Sequence, residues 1–101
     1  MAPEEASIED IEPLRVRIDE IDRKLVELLN ARSGLANRIG HIKKILGLAI
    51  YDPSREKDVL TYVVRASKGP LPDPAIRRLF ERIIDETRSL ERQRYQDPPE
   101  E

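Results

Sequence analysis

One amphipathic stretch, residues 11–46, constrains the fold of this chain more than any other feature. Apolar residues recur there in steps of three and four, the period of one face of a long helix: Ile11, Leu14, Ile18, Ile21, Leu25, Leu28, Leu35, Ile39, Ile42 and Leu46. Such a helix would be ~54 Å long at ~1.5 Å per residue, whereas a compact globule of similar chain length has a radius of gyration of only ~13 Å. We therefore predict that it lies along a partner chain.

Composition narrows the class of protein. Charged residues make up 38% of the chain and aromatic residues 4%, which with the apolar period favours a helical protein rich in salt bridges. The net charge of -2 argues against a general nucleic-acid surface, and the lack of cysteine excludes disulfides and thiolate sites. The acidic N-terminus does not resemble a signal peptide, and no apolar run is long enough to span a membrane. We expect a soluble cytoplasmic protein that binds neither nucleic acid nor membrane.

Glycine and Asp-Pro signals divide the chain into helices. Gly47 is suited to end the first helix. Asp52 followed by Pro53 is typical of a helix start, with a capping carboxylate and proline at the first helical position. Asp73 and Pro74 repeat that signal for a third helix. The sequence thus predicts an all-α fold with one long N-terminal helix and two shorter ones.

The predicted organisation is a helical domain over residues 8–95, flanked by disordered tails at 1–7 and 96–101. The third helix should bury one stripe of side chains against the rest of the chain: Ile76, Leu79, Phe80, Ile83, Ile84, Thr87 and Leu90.

Several cationic side chains project from apolar helix faces, with few obvious partners of opposite charge in the sequence. Arg32 interrupts the apolar face of the long helix, and Lys43, three turns later, faces nearly the same way. Asp52, Arg55 and Glu56 share one helix face. Taken singly, each has an ordinary explanation, such as an ion pair, a helix cap or a surface lysine. Taken together, they indicate a pocket for a small organic dianion, because the arginine fork binds both oxygens of a carboxylate.

Other polar residues are less informative. Thr87 and Glu91 lie four residues apart on the third helix, where the ordinary role of Thr87 is a hydroxyl bonded back to its own helix. His41, the single histidine, is expected to be exposed. With neither a histidine cluster nor a glycine-rich phosphate loop, an enzyme of this sequence would work by positioning and electrostatics.

The spaced motifs resemble the all-helical chorismate mutases over roughly residues 8–94. The motifs that carry this resemblance are Leu14-Arg15-x-x-Ile18-Asp19-x-Ile21-Asp22, Leu28-Leu29-x-x-Arg32, Ile39-Gly40-x-x-Lys43, Tyr51-Asp52-x-x-Arg55-Glu56, Gly69-Pro70-Leu71 and Phe80-x-x-Ile83-Ile84-x-Glu86-Thr87-Arg88-x-Leu90. The resemblance implies an intertwined homodimer that rearranges chorismate to prephenate in aromatic amino acid biosynthesis. It implies no cofactor, no metal and no covalent intermediate.

The resemblance also implies a site shared between two chains. Arg32 and the partner chain's Arg15 would hold the substrate carboxylates, and Lys43 would donate to the ether oxygen. On one straight helix Arg15 and Lys43 would stand ~42 Å apart, so a small ligand could not contact both from one chain. Arg55 would support the carboxylate end of the site.

The remaining positions implied by the resemblance surround the ring. Glu56 and the region of Asp52 would meet the ring hydroxyl, and Thr87 would line the pocket. The chain departs from the common pattern at Ala49, where many relatives have proline, and at Glu91. Most bacterial relatives have glutamine there as a second donor to the ether oxygen, and some eukaryotic relatives have glutamate.

Two other functions fit parts of the sequence. An isochorismate pyruvate lyase would use the same kind of cationic pocket. A non-catalytic helical dimerisation or regulatory module would explain the apolar period but not Arg32, Lys43 and Arg55 together. Because such mutases sometimes partner or fuse with another enzyme of the shikimate pathway, a partner enzyme of that kind is also expected.

Overall fold

The computed structural model describes residues 5–94, and its elements are helical. A short 3-10 turn at Ile8–Asp10 leads into α1 (Ile11–Leu46), followed by α2 (Pro53–Ala66) and α3 (Asp73–Arg94). No strand occurs within this range. The predicted all-α fold is confirmed, as are both predicted ends of α1. Residues 1–4 and the tail predicted at 96–101 lie outside the described range.

Internal contacts divide the chain into two units, Met1–Arg32 and Ser33–Glu101. In the first unit, the turn that precedes α1 is capped, because the Ser7 backbone N–H donates to the Asp10 carboxylate at 2.7 Å. The part of α1 in this unit keeps large apolar side chains exposed, with Ile21 58%, Leu25 51% and Leu28 66% accessible. This apolar face is therefore uncovered in the single chain.

The end of α1 is a Schellman motif centred on Gly47. The Leu48 N–H donates to the Lys43 carbonyl at 2.8 Å, and the Gly47 N–H donates to the Lys44 carbonyl at 3.2 Å. Gly47 has φ 71°, in the left-handed region that glycine adopts without steric cost. The predicted helix stop is confirmed, and it fixes the direction in which the following connector leaves α1.

The two shorter helices begin differently. Asp52 caps α2, because its carboxylate accepts the Arg55 N–H at 3.1 Å, with Pro53 at the first helical position as predicted. The expected capping role of Asp73 is wrong by one residue, since α3 already includes Asp73. The Pro72 carbonyl instead accepts the first N–H bond, from Ala75 at 2.9 Å.

The core of the second unit lies where α3 packs against α2. Ile50, Ile84 and Thr87 are buried, with 9%, 8% and 8% of their surfaces exposed. Four other members of the predicted α3 stripe are half-buried: Ile76, Phe80, Ile83 and Leu90.

The prediction that Leu79 is buried is wrong, since 52% of its surface is exposed. At 3.6 residues per turn, Leu79 points roughly 80° away from Thr87 and roughly 140° away from Ile84. It therefore lies at the edge of the buried face, beyond the packed side chains.

Across the described range, no helix combines the length and the apolarity that crossing a membrane requires.

Candidate active site

The connector between α1 and α2, residues 47–52, contacts Lys43, one of the predicted site cations, which lies in the last turns of α1. The Lys43 ammonium donates to the Ile50 backbone carbonyl at 3.1 Å. Lys43 is half-buried and Ile50 is buried. A flexible lysine chain is thus tied to a fixed point of the backbone, and its charge is partly withdrawn from water. An ammonium has three N–H donors, so this bond leaves two for a ligand.

A second charged group joins α2 to α3. The Nε of Arg88 donates to one carboxylate oxygen of Glu56 at 3.2 Å, and a terminal nitrogen of the guanidinium contacts the other oxygen. This is the bidentate, fork-to-fork arrangement of arginine with an ionised carboxylate. The two side chains are only 28% and 25% exposed.

The hydrogen bond that Arg88 donates to the Glu56 carboxylate is the main reason that the pKa of Arg88 is raised above its ordinary value, while burial acts in the opposite direction. The guanidinium carbon also lies 4.9 Å from the centre of the Tyr51 ring, within range of a cation–π contact. Asp85 contributes a longer ion pair at 3.7 Å. Arg88 thereby connects α3, α2 and the connector that holds Lys43.

Sequence reasoning did not assign Arg88 to the site. A signal was available, because Arg88 lies four residues after the buried Ile84 and one after the buried Thr87. A cation at that register of an amphipathic helix is placed at the edge of the core. Its partner Glu56 is 32 residues away in sequence, beyond the reach of any helical period.

The predicted group on α2 is only partly brought together. Asp52 acts as the helix cap, with its carboxylate on the Arg55 backbone N–H. The Arg55 side chain is exposed, whereas Glu56 is half-buried and turned to Arg88. The ordinary explanation of Asp52 as a cap is therefore confirmed. Its carboxylate lies one residue after Tyr51, so the cap belongs to the same connector as the Arg88 contact.

The α3 residues lie on the packed side of the second unit. Thr87 is buried, and its hydroxyl donates to the Ile83 carbonyl at 2.9 Å, which is the back-bonded conformation considered for it. Glu91, one turn later, is half-buried. His41 is exposed, as predicted. Within residues 5–94, no three or more His, Cys, Asp or Glu side chains are grouped so that they could hold a metal ion.

The first unit carries the other two predicted site residues. Arg15 is exposed on α1. Arg32 is half-buried although it occupies an apolar position of the helical period. Partial burial of a guanidinium suits an arginine that binds a carboxylate, because lower local polarity strengthens the ion pair.

Comparison with known proteins gives a consistent result. Residues 14–92 match the model of the family chorismate mutase type II. The bifunctional chorismate mutase/prephenate dehydratase of Aquifex aeolicus is 37% identical over 89 residues, 84% of this chain and 25% of that protein. The chorismate mutase of Methanocaldococcus jannaschii is 34% identical, over 85% of this chain and 88% of that protein.

A solved structure agrees in both fold and sequence. Chorismate mutase (form II) from Thermus thermophilus aligns with a TM-score of 0.80 and 38% identity, over 88% of this chain and 99% of that chain. The chain spans only about a quarter of the length of such bifunctional relatives, 25% in the case of the Aquifex protein.

Proposed function

This chain belongs to the chorismate mutase type II family, and on that premise we propose that it catalyses the rearrangement of chorismate to prephenate. The observation that carries the proposal is the half-buried Lys43 ammonium, fixed at 3.1 Å on the Ile50 carbonyl. It offers an oriented positive charge at the connector, which also carries the Tyr51 ring that contacts Arg88. A positioned donor of this kind is what a reaction with a developing oxyanion needs.

The chemistry asks for positioning more than for acid or base. In one molecule, an ether C–O bond breaks while a C–C bond forms, and no proton is transferred. The substrate must be held in a compact, chair-like conformer, and orientation alone can lower such a barrier substantially. Negative charge grows on the ether oxygen as its bond breaks, so a donor there stabilises the transition state more than the ground state. Lys43 supplies that donor in this proposal.

In this proposal, arginine side chains bind the substrate carboxylates. Arg32 of one chain and the partner chain's Arg15 hold them, and Arg55 supports the same end of the site. The planar fork of arginine suits this task because two parallel N–H bonds fix a carboxylate in direction as well as position. Arg15 and Arg55 are exposed and Arg32 is half-buried, so a ligand in solution can reach each of these side chains.

The ring of the substrate is assigned to the α2 and α3 residues. Glu56, with the Asp52 region, accepts the hydrogen bond of the ring hydroxyl, and Thr87 lines the pocket. Glu91 is assigned to the ether oxygen, where its protonated form would be the second donor. The half-burial of Glu56 and Glu91 supports these roles, since both lie between the core and the surface.

Two partners belong to the proposal. The first is a second copy of this chain, supported by the exposed apolar side chains of α1 in the first unit, such as Leu28 at 66%. The second is another enzyme of the shikimate pathway, supported by relatives in which a mutase is joined to a prephenate dehydratase. A cytoplasmic setting fits a biosynthetic enzyme of this kind.

The test is a pair of assays on the purified chain. Chorismate should yield prephenate, and isochorismate should yield no salicylate. Salicylate and pyruvate from isochorismate, without prephenate from chorismate, would identify a lyase instead. Absence of both activities in a folded dimer would favour a dimerisation or regulatory module. Lys43→Ala serves as the site control, since its loss must abolish most of the prephenate signal.

A further inference from the structure

The Glu56–Arg88 pair determines the charge at the proposed hydroxyl subsite. The two side chains are joined by two contacts, one of them at 3.2 Å between Nε and a carboxylate oxygen. Each remains about a quarter exposed, at 25% for Glu56 and 28% for Arg88. The carboxylate is therefore reachable by a ligand while its negative charge is already matched by a guanidinium.

A carboxylate bound in this way can still accept a hydrogen bond. Its two oxygens offer about four lone-pair sites, and a bidentate arginine takes about two. A neutral hydroxyl needs only one of the rest. A protonated amine at the same ring position would also donate, but it would bring a positive charge next to the guanidinium of Arg88. Like charges placed together in a partly buried site oppose binding.

Two further neighbours of the guanidinium, Tyr51 and Asp85, affect its position and its charge. The Tyr51 ring lies 4.9 Å from its carbon, so the side chain is held by a ring contact as well as by Glu56. The Asp85 carboxylate approaches to 3.7 Å, but its side chain is 60% exposed. Water and salt screen a charge at that exposure, so Asp85 offsets little of the Arg88 charge felt at Glu56.

We propose that Arg88 is a specificity-determining residue, which makes the Glu56 subsite select a ring hydroxyl over a protonated amine. The inference rests on the proposed mutase function and on Glu56 reading the ring substituent. Without Arg88, the lone carboxylate of Glu56 would attract the ammonium instead. The substrate class is thus a cyclohexadiene dicarboxylate with an uncharged hydrogen-bond donor beside the ether carbon.

The experiment compares two substrates with the full chain at neutral pH. These are chorismate and its analogue with an amine in place of the ring hydroxyl. Parental protein should show a higher kcat/KM for chorismate. Arg88→Met removes the charge at similar side-chain length, and the ratio of the two kcat/KM values should fall by about tenfold or more. Arg88→Lys keeps the charge and should keep the ratio within about threefold, even where both kcat/KM values decrease.

Arg82→Met is the matched control. It removes a positive charge from the same helix, but Arg82 pairs with Glu86 at 2.9 Å where the side chains are 76% and 64% exposed. The substrate ratio should not change in this variant. If Arg88→Met does not give a helical protein by circular dichroism, Arg88→Gln carries the same test.

The outcomes separate this inference from the function on which it rests. An active parental protein whose ratio is unchanged in the neutral Arg88 variants would overturn the inference and leave the mutase function standing. Equal loss on both substrates has that same meaning, because it is what a purely structural role predicts. A parental chain that does not convert chorismate would overturn the proposed function, and this inference with it.

Discussion

The ammonium of Lys43 and the backbone carbonyl of Ile50 are joined by a hydrogen bond of 3.1 Å. The bond links the last turns of α1 to a connector whose path is set at Gly47. Lysine has a long side chain with many rotamers, and holding it costs conformational entropy. The hydrogen bond to the connector already restricts the Lys43 side chain in the free protein, so less conformational entropy is lost when a ligand binds. The backbone of residues 47–52 is therefore part of the proposed site, although sequence motifs name only side chains.

Lys43→Met should reduce kcat by about 10²–10³, the usual effect of removing one oriented donor from a developing oxyanion. KM should change much less, because the contact strengthens as the ether bond breaks. Steady-state kinetics on chorismate checks both parameters. The control is Lys44→Met, since Lys44 is adjacent and exposed. A near-parental kcat in Lys43→Met would show that the ammonium does not face the ether oxygen.

Mixing two inactive variants tests whether the site is shared between chains. Arg15→Ala and Arg32→Ala should each lose most activity while remaining helical. If the site uses Arg15 from one chain and Arg32 from the other, each mixed dimer has one intact site. Random exchange then restores about a quarter of the parental activity, because half of the dimers are mixed. No recovery after refolding the two variants together would mean that both arginines act within one chain.

Much of the fold could be predicted from the sequence, because helix period and helix ends are local properties. The steps of three and four gave both ends of α1, and Gly47 and Asp52 act as the stop and the cap that their residue types predict. The error at Asp73 concerns one residue at a helix end, where assignment varies by that amount. The burial of Leu79 was overestimated because a periodic stripe has no marked edge.

The site was harder to predict, because its contacts join distant parts of the chain. The sequence predicts Lys43 as a site residue, but the Ile50 carbonyl that it contacts is a backbone atom and leaves no mark in the sequence. Glu56 was assigned to the substrate, whereas its partner Arg88 was missed. That pair depends on how α2 packs against α3, and no periodicity within either helix determines it.

Glu91→Gln tests the protonation assigned to Glu91. An ionised carboxylate would repel the charge that develops on the ether oxygen, whereas a protonated one can donate a hydrogen bond. Activity of the parental protein should therefore fall as pH rises through the pKa of Glu91 in the relevant enzyme state, by about tenfold per pH unit above it. Glu91→Gln should retain activity at the higher pH, because an amide N–H donates a hydrogen bond at every pH in the range tested.

The measurement is kcat/KM on chorismate from mildly acidic to mildly alkaline pH for both proteins. Glu81→Gln provides the control, since Glu81 is an exposed carboxylate on the same helix. It should leave the profile unchanged. Identical profiles for the parental protein and Glu91→Gln would instead place Glu91 away from the reacting oxygen.

Gly47→Ala tests the helix stop. An added Cβ at Gly47 would meet no atom within 4 Å, so any loss comes from the backbone at φ 71°. Alanine in the left-handed region should decrease the free energy of unfolding by about 1–2 kcal/mol. Urea titration measures this. Gly34→Ala is the opposite control, because Gly34 lies inside α1 with the same free space and should gain about 0.5–1 kcal/mol. A neutral Gly47→Ala would mean that the connector relaxes without strain.

The uncovered apolar face of α1, with Ile21, Leu25 and Leu28 more than half exposed, makes the fate of each newly made chain depend on how many others surround it. If a second copy covers that face, folding is completed by an encounter between molecules. The melting temperature should then rise with protein concentration. At low abundance, a lone chain would be open to proteases and to unwanted apolar contacts. The amount of this protein in a cell would therefore set the fraction that survives to work.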